Sequence, residues 1–281
     1  MYQLASRFGR DANILRGNLP LTIDQMRKAA PSIFAAEAHS SRSEKYQFFP
    51  TSEVLTGLLK EGFAPYAVTQ ARSRIPGKEE FTKHMIRLRQ LNAFNAGLGE
   101  DMNEIVLLNS HDGTSAYQIM PGIYRKICMN GLVAGENHDD IRVRHSGKGN
   151  LIDNVIEGVF RVVEDFETIA LEKDGMKGVT LDLDERRAFA NAALSLKYDP
   201  DNNPAPITAD QLVIPKRIED RKLDLWTVLN VAQENLIRGG IRGRTASNNR
   251  TTTREVKGID QNIKLNRAIW TLGEEMKKLK G

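Results

Sequence analysis

From Leu151 to Ile169 the apolar residues return at helix spacing: Leu151, Ile152, Val155, Ile156, Val159, Phe160, Val163, Phe166 and Ile169. A stripe this broad cannot face water and must cover another layer of structure. Asn150 stands where a cap is wanted, with Asp153 three places on in a weak capping-box arrangement. The layer to be covered lies upstream, where the period is alternating. Residues 66–74 and 82–90 read as two strands joined around Pro76 and Gly77. In the second of these, Lys83, Met85, Arg87 and Arg89 share one face, while His84, Ile86 and Leu88 share the other. Residues 104–110 and 115–119 form a further hairpin about Asp112 and Gly113. Ile141, Val143 and His145 then alternate with Arg142 and Arg144 until Gly147 and Gly149 break the pattern. These periods predict an α+β chain, with a twisted, largely antiparallel sheet covered by a long helix and a mainly helical C-terminal half. Such a sheet is expected to bury one face and wet the other.

Around this centre, residues 22–30 read as a short helix capped by Thr22 and stopped by Pro31. Residues 46–49 suggest a short strand. A helix follows to Lys60, with Val54, Leu55, Leu58 and Leu59 as its stripe and Gly62 as its end. Residues 1–20 are poorly periodic. Further helices are expected over residues 184–196, 223–236 and 260–279, the last with Leu265, Ile269, Leu272, Met276 and Leu279 as its seam. A mixed region, 1–180, and a helical region, 181–281, either share one core or divide near residue 180.

The chain has 281 residues, enough for a substantial core. Cys128 is its one cysteine, so an internal disulfide is excluded and a reducing cytoplasm is the natural setting. No apolar run suits a signal peptide or a membrane span.

Charge is distributed unevenly. Residues 238–257, RGGIRGRTASNNRTTTREVK, carry a net +5 against +4 for the whole chain. Arg238, Arg242, Arg244, Arg250, Arg254 and Lys257 stand there against Glu255 alone, among small polar residues without apolar period. The segment reads as a long internal loop between two helices whose cations want an anionic partner. A second cluster, Arg72, Arg74, Lys78, Lys83, Arg87 and Arg89 against Glu79 and Glu80, falls on the predicted strands, and Arg142 and Arg144 share a strand face. Arg125 and Lys126 end another element. Together these are the candidate nucleic-acid-binding residues, with Tyr66, Phe81, Tyr117 and Tyr124 as stacking candidates.

Catalytic motifs are absent. Gly147-Lys148-Gly149 lacks the spacing of a phosphate loop, and no G-x-G-x-x-G, G-x-S-x-G or H-E-x-x-H occurs. His111 and Asp112 fit a hairpin turn better than a metal site. Glu136, His138, Asp139 and Asp140 read as a solvated acidic cluster, and Cys128, between Ile127 and Met129, as a small buried hydrophobe. No cofactor, metal or catalytic residue is expected.

Residues 31–63, PSIFAAEAHSSRSEKYQFFPTSEVLTGLLKEGF, resemble the phage/plasmid-like family known as domain of unknown function 932. The resemblance continues at KHMIRLR, at LLNSHDGTSAYQIMPGIYRKICMNGLVAG and at IRVRHSGKG, then at LDLWTVLNVAQENLIRGG and GIDQNIKLNRAIWTLGEEM. It implies a mobile-element setting, which makes DNA a sensible polyanion, but no activity for particular residues. The element order of residues 52–171 is also loosely similar to the core of single-strand annealing recombinases, which form rings and hold DNA in a basic groove.

The leading expectation is therefore a nucleic-acid-binding accessory protein, with single-stranded DNA favoured as partner and a homo-oligomer, such as a ring, as the assembly. A metal-dependent nuclease using Asp112, Asp139, Asp140 and His111 is one alternative. A structural or protein-binding factor that antagonises a host defence is another.

Overall fold

The computed structural model describes residues 12–91, 101–126, 130–135, 141–143 and 151–280. The chain divides into two compact units. The first holds residues 1–133, 137–166 and 257–259; the second holds residues 134–136, 167–256 and 260–281.

The first unit is built on an antiparallel sheet in the order β1 (Ala12–Arg16), β2 (Phe63–Ala71), β3 (His84–Gln90), β4 (Asp101–Asn109), β5 (Tyr117–Arg125) and β6 (Asn130–Val133), with β7 (Ile141–Val143) also paired to β5. Helices α1 (Ile23–Ala29), α2 (Thr51–Lys60) and α3 (Leu151–Glu164) belong to the same unit. Thr22 caps α1 through a complete capping box with Gln25. Val54, Leu55 and Leu58 of α2 and Val155, Val159 and Val162 of α3 pack with Val68, Ile86, Leu88, Ile105, Leu107 and Ile119 of the sheet. Gly158 lets α3 approach closely, because a Cβ there would lie 2.7 Å from the Ile119 side chain.

The opposite face of the sheet is not wet. The sheet curls into a half-barrel, β2 carrying a bulge between Pro65 and Ala67. Met85, Val106, Leu108 and Met120 are buried on that second face. The expectation of one buried and one solvated face is thus corrected: curling closes the second face on itself.

Three further elements differ from expectation. Residues 12–16 form an edge strand in a region with little period, and residues 46–49 form no strand. The long helix is two, α3 and α4 (Phe166–Gly178), parted at Asp165. The broad stripe ends there: α3 serves the sheet, whereas α4 buries only Ile169 and Met176.

The second unit centres on α7 (Leu225–Arg238), in which every residue from Leu225 to Ile237 is buried. Around it lie α5 (Leu183–Ser195), α6 (Ala209–Leu212) and α8 (Ile259–Lys280). Asp182 caps α5 in a box with Glu185, and Asp224 caps α7 by accepting from the Thr227 amide. Trp226 meets Trp270 of α8 edge to face at 6.3 Å. Gln233 Nε2 donates to Asn266 Oδ1 at 2.7 Å, so a polar pair also fixes the helix packing.

Candidate nucleic-acid interface

The basic segment after α7 is a β-hairpin rather than a loop. Its strands are β8 (Arg242–Arg244) and β9 (Arg250–Thr252), paired antiparallel with Arg242 opposite Thr252, Gly243 opposite Thr251 and Arg244 opposite Arg250. Two glycines make the exit from the helix. Gly239 has φ +62°, and a Cβ there would lie 2.6 Å from the Thr253 carbonyl oxygen; Gly240 has φ +80° and donates its N–H to that same oxygen at 2.8 Å. At the tip, Asn248 takes the left-handed conformation with φ +61°, and the Thr245 amide donates to the Asn249 carbonyl at 2.9 Å.

The alternation of the ribbon sorts its side chains. Gly243 and Thr251 share one side, and a Cβ on Gly243 would lie 1.9 Å from the Pro206 carbonyl oxygen. That oxygen accepts from the Arg244 amide at 2.8 Å, so the hairpin rests on the segment around Pro206. Arg242, Arg244 and Arg250 share the other side, and all three are exposed. Arg254, just beyond, is also exposed. Arg244 Nη1 donates to the Asn248 carbonyl at 2.9 Å, which orders one of the guanidinium groups.

Lys197 fastens the base of this hairpin. Its Nζ donates to the carbonyls of Leu236, in the last turn of α7, and of Arg254, each at 2.7 Å. Burial brings its pKa down to about 8. Nothing in the sequence around Tyr198 marks this role, since the contact spans 39 and 57 residues.

Several other cations of the second unit have acid partners. Arg217 meets Asp220 and Glu234, each at 2.8 Å, and Arg238 meets Glu234 at 3.2 Å. Burial raises the Glu234 carboxyl, but Arg217 and the neighbouring charges outweigh it and hold the pKa below the ordinary value. Arg187 pairs with Asp210, and Lys280 with Glu185. Arg242, Arg244, Arg250 and Arg254 have no such carboxylate among the described residues. Arg244 and Arg250 moreover stand directly opposite each other, an arrangement that is unfavourable without an anion between them.

In the first unit the basic candidates disperse. Arg87 and Arg89 are only 6 % and 5 % exposed on the closed face, where both bind Glu104, itself 1 % exposed. Arg87 Nη1 donates to Glu104 Oε2 at 2.9 Å, and Arg89 Nε to Oε1 at 2.9 Å. The Arg89 guanidinium also lies between the rings of Tyr66 and Tyr124, 4.1 and 3.9 Å from their centroids. A Cβ on Gly131 would fall 2.2 Å from Arg87 Nη1, so that glycine leaves the room Arg87 occupies. Arg125 is buried as well. These three arginines therefore face the interior, and the reading of Arg87 and Arg89 as backbone contacts is corrected by their burial. Glu104 was the sequence signal for it: an acid at an inward position of an apolar strand, beside a strand with two inward arginines.

Arg72, Arg74, Lys126 and Arg142 are exposed and Lys83 is half-buried; Arg72 donates to Asn13 Oδ1 at 3.2 and 3.1 Å. Arg144, Cys128 and the acids around residue 139 lie outside the described residues. Of the stacking candidates, Tyr117 is fully buried with its hydroxyl on Thr51 at 2.9 Å, Tyr66 and Tyr124 hold Arg89, and Phe81 meets the His39 ring at 5.3 Å.

His111 belongs to a buried cluster in which Thr51 Oγ1 lies 2.9 Å from His84 Nε2 and 3.3 Å from His111 Nε2, and accepts from Asn109 Nδ2 at 3.0 Å. Asp112 accepts from the Thr114 amide and hydroxyl at 3.0 and 2.6 Å and pairs with Lys78 at 3.2 Å. Burial acts to raise its pKa, but these hydrogen bonds and the Lys78 charge bring it below the ordinary carboxylate value. Among the described residues no group of three or more His, Cys, Asp or Glu is placed to hold a metal ion, and no described helix is long and apolar enough to cross a membrane.

A curled antiparallel half-barrel packed on helices, joined in sequence to a helical unit that carries an arginine hairpin, defines the class of protein. The chain belongs to the family described as "Domain of unknown function (DUF932)", found in phage- and plasmid-associated proteins, whose profile matches residues 38–270. It is similar to two proteins of Escherichia coli (strain K12), UPF0380 protein YafZ and UPF0380 protein YfjQ. Each is 44% identical to it over 276 residues, covering 98% of both chains. No solved structure matches it.

Proposed function

We propose that this protein is a nucleic-acid-binding accessory protein of phages or other mobile elements, acting by binding rather than by catalysis. The carrying observation is the hairpin: Arg242, Arg244 and Arg250 on one exposed side, without a carboxylate partner among the described residues and with Arg244 facing Arg250, on a base fastened by Lys197 and Pro206. Such a ribbon suits the phosphate backbone, which supplies closely spaced negative charge and releases counterions on binding. The phage and plasmid setting of the family makes DNA the natural polyanion. Single-stranded DNA is the favoured partner, in recombination or annealing, with several copies, as in a ring, aligning their hairpins along one strand.

The test is DNA binding by fluorescence anisotropy across a salt series, comparing the protein with an R242A/R244A/R250A variant of unchanged circular dichroism. Affinity should fall steeply with salt. The variant should bind at least about tenfold more weakly, and its log–log salt slope should be shallower by about 2 if all three side chains meet phosphates of a single strand. Salt-independent binding, or a variant that binds as tightly as the parent, would rule the proposal out.

A further inference from the structure

A groove of about 960 Å³ runs beside the hairpin, near the upper end of the range of small-ligand sites, about 300–1,000 Å³. Arg242, Arg244 and Arg250 belong to its hairpin side, and its other side is Ala205, Pro206 and Ile207 with Thr208 and Gln211. The two sides are tied together. Besides the Arg244 amide on the Pro206 carbonyl, Gln211 Nε2 donates to the Arg242 carbonyl at 3.3 Å. The groove is thus preformed.

A site that met only a phosphate backbone would need cations and polar donors. Here Arg242 and Arg250 line a groove to which Ala205, Pro206 and Ile207 add apolar surface beside the polar Thr208 and Gln211. Duplex DNA hides its base faces in the stack, whereas an unpaired base offers a flat apolar face and carries phosphates on both sides. We infer that the groove takes one unstacked nucleobase of a single strand against Ala205 and Pro206, with the adjoining phosphates on Arg242 and Arg250. The inference rests on the nucleic-acid reading and adds base contact to it: the site selects single strands by the base face as well as by charge.

The full-length protein is titrated with three probes carrying equal numbers of phosphates: a thymidine oligomer, an abasic oligomer and a duplex. The thymidine strand should bind about threefold or more tighter than the abasic strand, somewhat less than one base stacked on an aromatic ring would give, and tighter than the duplex. Ala205→Leu, which narrows the groove without altering charge, should bring the thymidine strand down toward the abasic one and leave the abasic strand unchanged. Equal affinity for thymidine and abasic strands, or a duplex bound as tightly as the single strand, overturns the groove assignment while the polyanion reading stands. Failure to bind any of the three overturns the polyanion reading itself, and the groove assignment with it.

Discussion

At the scale of single residues, Glu104 shows how a charged group can decide the interior of a sheet. Two guanidinium groups lie on the closed face, and this one carboxylate answers both. Removing water from three ions is costly, and the close paired geometry offsets that cost. Arg89 gains further from the tyrosine rings on its two sides. Glu104→Gln keeps the shape but leaves two buried cations without a counter-charge. It should destabilise the first unit by about 3–5 kcal/mol in urea unfolding. A loss below about 1 kcal/mol would mean that the guanidinium groups find water or another acceptor. From sequence alone, Arg87 and Arg89 look like a basic strand face, because alternation tells which residues share a face but not whether the sheet curls over it.

At the scale of elements, the helices were legible and the ribbons were not. Each of α2, α7 and α8 has a local apolar period, and Thr22 announces its helix by a capping residue. The hairpin of β8 and β9 lacks that period because its support is remote in sequence: the carbonyl of Pro206 and the amine of Lys197. β1 was missed for a similar reason, since five residues on the edge of a sheet draw their order from β2. Lys197 gives the anchoring a signature in pH. Its folded pKa, near 8, lies below the ordinary 10.5, so between these values the unfolded chain holds more proton than the folded one. Its contribution to stability must therefore rise as pH increases through that window. Thermal unfolding at pH 8 and 9.5 should show this rise in the parent, and Lys197→Met should lack that part of it. Identical pH dependence in the two proteins would show that the amine titrates normally.

At the scale of the whole molecule, protection from solvent is graded. In the second unit, α7 is enclosed along nearly its full length, while the hairpin is a short two-stranded ribbon with exposed side chains. In the first, β3 and β4 lie in the middle of the sheet. Native-state hydrogen exchange should find the amides of α7 and the central strands slowest, with those of β8 and β9 opening locally and far faster. Exchange of β8, β9 and α7 in one cooperative step would contradict this. The facing pair Arg244 and Arg250 adds a consequence for the unbound protein. Dissolved salt, which loosens the grip of cations on a polyanion, must at the same time calm the repulsion within the ribbon. Ionic strength thus acts on this element with two opposite signs, firming the hairpin when it is empty and weakening its hold when it is occupied.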